Sequence, residues 1–483
     1  MIKIMPKTVL LLFFIIHGFF SCALSGAEEP LLQRGDRVWE YVVDRGFKGS
    51  AALKISNDRD GNIYVVGYDY NPKQGSGKNR LGTQWYVQKL SPNGKPLWSE
   101  PYTSNPTDGD DIPYAVAIDS NDTNYLYVAG FQYGGSQWRV EKIRTEDSIL
   151  KPSERLVWSY VSDAPMKPTF AAGATGMAFD PQGYLYVVGR DGGGEQGEWR
   201  IEKLRTTNKS FDKPLDRRVW AYTYDPSSVM NHTACGGEMA LGVAFDPRGY
   251  IYVGGFKAWG PEHGSSNTGD WVILKMITDH DPNEIYKDRR VIPKIEIEPP
   301  FQESNGEKVY KNGSNAAPWD MVYDQKGFLY VSGHSSDGEL NLDHPLDRAL
   351  KENMNPQLLG SIRVLKITTE DMKIVWKYVY RPAGHSSSIV AAGIALDPSG
   401  DGSLFLGGYL NGGRNWLVQK VDAFSTKLLG QYVNTPNTGQ NEVMSMAFDP
   451  RSEASYAGGY DSRKSNPGRI RIEKVKWILS EKK

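Results

Sequence analysis

The chain has 483 residues, of which 39% are hydrophobic and 23% charged, and 56 Lys and Arg against 57 Asp and Glu give a formal net charge of −1. This composition is that of a globular protein and excludes a disordered chain. A nucleic-acid-binding protein would usually carry a basic excess, so the balanced charge argues against that class. The 51 glycines and 28 prolines indicate the many turns of an all-β protein.

The N-terminus has the pattern of an export signal. Two lysines precede an apolar run over residues 9–20, which is too short to span a bilayer and fits a secretory signal. The segment FFSC resembles a bacterial lipobox, in which the cysteine, here Cys22, is lipidated and becomes the N-terminus. Cleavage after SGA, at residues 25–27, is the alternative. We expect a signal peptide over residues 1–22 and a linker over residues 23–36.

Cys235 is the only other cysteine, so the mature chain has no internal disulfide on either cleavage scheme. No later stretch is long and apolar enough to predict a transmembrane helix. An exported protein without disulfides depends on its core, and a chain of this length buries enough apolar surface to form one.

The chain repeats one pattern seven times. FDPQGYLYVVGR, FDPRGYIYVGGF and YDQKGFLYVSGH are three examples. The aspartates that mark the seven units are Asp58, Asp119, Asp180, Asp246, Asp324, Asp397 and Asp449. Their uneven spacing predicts one supersecondary structure repeated with loops of variable length.

Each unit contains four short strand patterns. The first strand is small and apolar and ends at the repeat aspartate, as in ATGMAFD. A D-x-x-G turn leads to an apolar second strand such as YLYVVG, whose last glycine we expect to release the chain into a loop. The third strand carries W-x-x-x-K, with isoleucine for tryptophan in units five and seven. Pro293, in the fourth strand of unit four, predicts that fourth strands are outermost, because an edge strand loses no ladder bond to proline.

The two ends of the chain complement each other. Unit seven stops after its third strand, RIRIEKV, and a fourth-strand pattern, RVWEYVV, occurs at residues 37–43. We expect these segments to pair and close a ring, since closure removes an open sheet edge. The prediction is an all-β fold: a seven-bladed β-propeller of four-stranded antiparallel blades over residues 37–477, closed by the N-terminal strand in the last blade, with a tail over residues 478–483.

The pattern D-x-x-G-x-x-Y-V-x-G followed by W-x-V-x-K resembles the bacterial seven-bladed β-propeller repeat family. The resemblance covers residues from about 37 to 477, and units two, six and seven depart from it in the turn but not in the strands. It implies an exported or surface protein that serves interaction or adhesion more often than chemistry.

Binding residues usually lie on loops over a rigid scaffold. We expect the links between units, and those between second and third strands, to emerge on one face, the top face, around the central channel. The polar residues of these links are the binding candidates. They are Asp110, Asp111, His232, Glu238, His263, Trp319, His385 and Glu442.

Neither of two potential metal sites is convincing. HTACGGE, at residues 232–238, contains zinc-ligand types at a spacing that matches no zinc motif. Asp108, Asp110 and Asp111 could hold calcium, but a solvated acidic turn is the preferred interpretation. We expect no metal and no cofactor.

The repeat aspartate and the third-strand lysine invite a structural interpretation. Both lie at the bottom end of their strands, two strand spacings or about 10 Å apart. We expect a ring of ion pairs or lysine-to-carbonyl bonds at the rim.

These observations favour a binding scaffold over an enzyme. G-x-S-x-G and H-E-x-x-H motifs are absent from the sequence. We expect a monomeric propeller, lipid-anchored in a bacterial envelope at the periplasmic or outer surface, that binds a protein or glycan partner and no nucleic acid. The alternative is a hydrolase or lyase whose top-channel site combines His232, His263 and His385 with carboxylates, similar to virginiamycin-type lyases.

Overall fold

The computed structural model is an all-β protein. Apart from two 3-10 turns, Pro152–Arg155 and Pro214–Arg217, the elements of its described residues are β-strands. No helix among these residues is long and apolar enough to cross a membrane. The structure describes residues 32–44, 49–70, 82–104, 110–119, 122–132, 137–149, 151–164, 173–192, 198–224, 239–256, 271–277, 303–304, 307–308, 317–335, 360–382, 389–397, 402–436, 438–463 and 466–478.

The strands follow the sequence repeat. An N-terminal strand precedes the first unit, β1 (Gln33–Val43). Units one to three contain β2 (Ala51–Asn57), β3 (Ile63–Tyr70), β4 (Thr83–Leu90), β5 (Tyr102–Thr103), β6 (Ile112–Ile118), β7 (Tyr125–Gln132), β8 (Gln137–Arg144), β9 (Leu156–Val161), β10 (Gly173–Phe179), β11 (Leu185–Asp191), β12 (Glu198–Leu204) and β13 (Arg218–Tyr224).

Units four to seven continue the series. Their strands, with a two-stranded hairpin β17–β18 between units four and five, are β14 (Met239–Phe245), β15 (Tyr250–Phe256), β16 (Trp271–Ile277), β17 (Glu303–Ser304), β18 (Glu307–Lys308), β19 (Ala317–Tyr323), β20 (Phe328–Ser335), β21 (Ser361–Thr368), β22 (Ile374–Tyr380), β23 (Val390–Leu396), β24 (Ser403–Leu410), β25 (Asn415–Asp422), β26 (Leu428–Asn434), β27 (Asn441–Asp449), β28 (Ala454–Arg463) and β29 (Asn466–Ile478). The predicted fourth strand of unit four, with Pro293, lies outside the described residues.

Within each unit the described strands pair antiparallel in order from the first strand, which forms one edge of the sheet. In units one, two, three and five the fourth strand forms the other edge. The first strands contact one another from unit to unit: β2 with β6, then β10, β14, β19, β23 and β27 in turn, and β27 with β2. First strands therefore lie at the centre and fourth strands outside, as predicted. This radial repetition of antiparallel sheets is the architecture of a β-propeller.

The N-terminal strand lies where the repeat predicts. β1 pairs antiparallel with β29, and Trp39 stands opposite Lys474. Trp39 Nε1 also donates to the Pro92 carbonyl of unit one at 3.0 Å. One feature was not foreseen: β1 begins at Gln33, which pairs in parallel with Gly430 of β26. Units six and seven are thereby joined in one eight-stranded sheet.

The glycine near the end of each second strand has a different role from the predicted one. The strand continues past it, as β20 does beyond Gly333. A Cβ on Gly333 would lie 2.1 Å from the Ala317 carbonyl oxygen, and one on Gly408 would lie 1.7 Å from that of Val390. The facing first strand has a register shift at this point. The glycine is thus required by a close backbone approach at a bulge, not by a loop exit.

The third-strand tryptophans join neighbouring units. Each is almost completely buried and donates its indole N–H to a carbonyl at the end of the next unit's second strand. The pairs are Trp85 to Phe131 at 3.4 Å, Trp138 to Arg190 at 2.7 Å, Trp199 to Phe256 at 3.1 Å, Trp271 to His334 at 3.2 Å and Trp416 to Tyr460 at 3.0 Å.

The predicted contacts are present for six of the seven repeat lysines, and the seventh, Lys420, lies 5.9 Å from the Phe405 ring centroid. Most of the six reach a carbonyl of the next unit, and two bind the aspartate of their own unit. The first group is Lys89 to Thr145 at 3.2 Å, Lys142 to Thr206 at 2.9 Å, Lys275 to Thr369 at 2.6 Å and Lys366 to Ala423 at 3.2 Å. The second is Lys203 to Asp180 at 3.4 Å and Lys474 to Asp449 at 3.0 Å. Tryptophans and lysines thus bind neighbouring units near opposite ends of the third strand and make the array a rigid support.

Candidate functional site

The antiparallel order gives the molecule two unlike faces. First strands end at one face, here called the basal face, in short turns such as residues 58–62 and 449–453. The top face carries the starts of the first strands and the connections from second to third strands. These connections range from residues 411–414 in unit six to 257–270 in unit four and 336–360 in unit five.

Asp110 and Asp111 form a junction between units one and two. Asp110 Oδ1 accepts a hydrogen bond from the Thr83 amide at 3.0 Å, and the Asp111 amide donates to the Thr83 carbonyl at 3.0 Å. Asp111 is fully buried, with Oδ2 3.9 Å from an Arg139 guanidinium nitrogen. Asp108, the third residue of the calcium candidate, lies outside the described residues. Among the described residues no group of three His, Cys, Asp or Glu side chains could hold a metal ion.

Trp319 lies near the start of β19 and binds a histidine that the sequence analysis did not select. Its indole Nε1 donates to His334 Nδ1 at 2.8 Å, and the two rings stack with centroids 6.1 Å apart. Burial lowers the pKa of His334 to about 4, because the imidazolium form loses its hydration. His334 is therefore neutral at physiological pH and accepts the indole proton. His334 directly follows Gly333, the glycine that recurs in every unit, and this position is the sequence signal that points to it.

Glu442 lies at the start of β27, beneath the top connection of unit six. Burial raises the pKa of its carboxyl group, which shares a hydrogen bond with Tyr460. A Cβ on Gly413 would lie 2.6 Å from Glu442 Oε1, so this turn packs directly on the carboxylate. Burial, with the nearby Glu442 charge, raises the pKa of Tyr409 to about 12. Glu442 is thus a half-buried support for the top turn.

The remaining candidates, His232, Glu238, His263, His385 and Cys22, lie outside the described residues. The histidines on which the enzymatic alternative depends are among them, so those assignments stay predictions.

The first strands enclose a central cavity of about 180 Å³. It is lined mainly by small and apolar residues of β2, β6, β10, β14, β19 and β27, such as Ala115, Gly176, Gly242 and Met446. Two charged residues share this lining, Lys54 of unit one and Asp320 of unit five.

Lys54 and Asp320 form an ion pair across the channel, with Lys54 Nζ 3.1 Å from Asp320 Oδ2. Each side chain is about one-fifth exposed. Asp320 Oδ1 also accepts from the Met321 amide at 3.1 Å, and Oδ2 lies 3.5 Å from the Ile394 amide of unit six. The pair neutralises both charges in the cavity and connects units one, five and six.

A sequence signal for this pair exists but was missed. Both residues stand four positions before the repeat aspartate, where the other units carry only small residues. These are Ala115, Gly176, Gly242, Gly393 and Ser445. Two oppositely charged residues at a repeat position that otherwise carries small residues indicate an ion pair across the channel. The described lining of the cavity consists mainly of small and apolar residues around one ion pair. This lining favours a structural role for the cavity over a hydrolytic one.

No protein-family model matches the chain, and no curated protein matches it in sequence. Three solved structures to which it is similar are hydrazine synthase of Kuenenia stuttgartiensis (15% identity, 91% of this chain and 97% of that chain, TM-score 0.44), U3-55K (10%, 90% and 98%, 0.49) and Chaetomium thermophilum Sqt1 bound to the N-terminus of ribosomal protein L10 (10%, 92% and 100%, 0.44). Similarity at this level carries no information on function, and the fold assignment rests on the strand pairing of the chain itself.

Proposed function

We propose that the chain is a ring-closed, seven-bladed β-propeller that acts as a monomeric scaffold, binding an envelope protein or glycan through its top face. Each sequence unit is one blade. The contact of β27 with β2, the pairing of β1 with β29 and the Trp39 bond to unit one support closure of the ring.

The observation that carries the binding function is the contrast between the two faces. On the basal face the turns from first to second strands repeat one short pattern, and the connections from third to fourth strands vary up to residues 205–217 in unit three. The top connections vary further, up to residues 336–360 in unit five. Variable loops over a support held by buried tryptophan and lysine bonds are the arrangement that binding proteins use for specificity. Among the described residues, the two charged side chains that line the channel, Lys54 and Asp320, neutralise each other.

The proposal includes export and a lipid anchor on Cys22, for which the N-terminal sequence is the support. Metabolic labelling with a fatty acid should mark the wild-type chain and leave Cys22→Ala unlabelled. Cys235→Ala is the matched control and should keep the label, since it is the only other cysteine. Equal labelling of wild type and Cys22→Ala would refute the anchor.

Partner binding can be tested by crosslinking in intact envelopes followed by purification of the chain. Replacing the top connection 336–360 with a short Gly-Ser linker should remove the crosslinked partner without lowering the unfolding temperature by more than a few degrees. As a control, Lys95→Glu changes an exposed basal residue and should leave the partner in place. A partner that survives the loop replacement but is lost in the basal variant would overturn the assignment of the binding face.

A further inference from the structure

We propose that the basal face of units five to seven rests on an anionic bilayer surface, so that the top face points away from the membrane. This orientation rests on the proposed anchor at Cys22, and it has its own structural evidence in the apolar residues, the charges and the path of the chain.

Exposed large apolar side chains gather on the basal side of the described molecule. They include the ends of third strands, the turns that follow them and the first residues of fourth strands. In units five to seven they are Val375, Phe424 and Ile478, together with Leu32 next to the base of β1. Leu215, Val219 and Ile277 continue the series in units three and four. Val433 and Val38 are exposed elsewhere, on outer strands.

Phe424 is the most exposed of them, at 62%. It lies in the turn between β25 and β26, held by its amide hydrogen bond to Asp422 Oδ1 at 2.7 Å. Ile478 ends β29 opposite Arg34, one residue from the base of β1. A phenylalanine fixed at the tip of a turn, with aliphatic residues on the adjacent unit, fits insertion into the headgroup region of a bilayer.

The charge of this region complements anionic lipid. The pairs Arg34–Asp36 and Lys373–Asp371 are neutral. Beyond them, the exposed basal residues of units five to seven are basic more often than acidic. They are Lys326, Lys427 and Lys476, with the exposed Arg451 paired to the buried Asp449 at 3.5 Å, against Glu370 and Glu453. Each basic residue near an anionic surface contributes about 1 kcal/mol to binding.

The path of the chain brings the anchor to the same place. β1 starts at Gln33 beside Gly430, near the basal end of β26. The described chain therefore begins at the basal rim, and the ten residues between Cys22 and Gln33 can span at most roughly 35 Å. Lipid on Cys22 would hold the basal rim, and not the top face, against the membrane.

Site-specific photocrosslinking tests this orientation. Phe424 is replaced by p-benzoylphenylalanine in the full-length chain, which is mixed with vesicles of phosphatidylcholine alone or with phosphatidylglycerol. Val433, 45% exposed near the opposite end of β26, receives the same group as the control. We expect a lipid adduct at position 424 that is several-fold more abundant with the anionic vesicles, and little adduct at position 433. Lys427→Glu with Lys476→Glu should reduce the adduct, whereas Lys95→Glu in unit one should not.

Equal adduct at the two positions, or none at position 424, would overturn the proposal. A crosslink between two copies through position 424 would also overturn it and would assign the patch to self-association. The photocrosslink does not depend on acylation. Loss of the fatty-acid label on Cys22 would therefore refute the anchor alone, while a missing adduct in a labelled chain would refute the orientation alone.

Discussion

At the scale of single residues, the ion pair in the channel offers the sharpest test of the packing. Asp320→Ala leaves the Lys54 ammonium group without its counterion and the Ile394 amide without an acceptor. The free energy of unfolding should fall by about 1–3 kcal/mol, measured by urea denaturation. Lys54→Ala with Asp320→Ala should cost less than Asp320→Ala alone, because unit two already carries Ala115 at this position. A double variant that loses the sum of the two single changes would show that the pair is not coupled.

His334 makes stability depend on pH. Its pKa is about 4 in the folded protein, because burial disfavours the charged ring, against an ordinary value of 6.5. Between these values the unfolded chain binds a proton that the folded chain does not. The contribution is therefore complete above pH 6.5 and is lost as the pH falls toward 4, by up to about 3 kcal/mol.

Thermal unfolding of wild type and His334→Gln across this pH range measures the effect. Glutamine keeps an acceptor for the Trp319 indole but does not titrate, so the difference between the two proteins should shrink as the pH falls from 6.5 to 4. Parallel curves for the two proteins would exclude His334 as the titrating group.

The sequence predicted the residues that repeat and missed those that do not. The lysine ring followed from seven aligned units, since a lysine at one position in every unit demands a structural reason. Lys54, Asp320 and His334 each occur once at their repeat position, so alignment of the units treated them as variation. Their roles depend on distances across the ring and between strands, which spacing along the chain does not give.

At the scale of elements, the bulge in each first strand explains the repeat glycine. Gly189→Ala would place a Cβ 2.1 Å from the Gly173 carbonyl oxygen. This overlap should lower the free energy of unfolding by about 1–3 kcal/mol or more. In Gly173→Ala, in the same sheet, the new Cβ would meet only the Phe131 side chain, at 3.4 Å. This variant should change the free energy of unfolding by less than about 0.5 kcal/mol. Chemical denaturation of both variants decides, and equal costs would contradict the role assigned to the repeat glycine.

The order of strands was predictable because each has its own composition, whereas the bulge was not. First strands are rich in small residues, second strands are apolar, and third strands carry the tryptophan and lysine. Each composition indicates the position of its strand in the sheet. A register shift in the first strand has no characteristic composition. The glycine opposite it, such as Gly333, therefore resembles the start of a loop in the sequence. The parallel pairing of Gln33 with Gly430 was equally invisible, since it depends on where two outer strands converge.

At the scale of the whole molecule, buried tryptophan and lysine bonds hold neighbouring units together. The top connections vary from unit to unit, and the basal face carries the repeated turns between first and second strands together with exposed apolar residues. The fold followed from the repeat. The partner did not, because the top connections are the part of the chain in which the units differ.

Ring closure is the central claim, and a covalent link between the first and last strands tests it most directly. Asp36 and Lys476 are partners in the β1–β29 register. In a chain with Cys22 and Cys235 replaced by serine, Asp36→Cys with Lys476→Cys should oxidise to one intramolecular disulfide, run faster on a non-reducing gel and unfold at a higher temperature. The pair Asp36→Cys with Lys326→Cys, which places the second thiol in unit five, should stay reduced under the same conditions. Failure of the 36–476 pair to form the disulfide while the protein remains folded would contradict closure of the ring by its N-terminal strand.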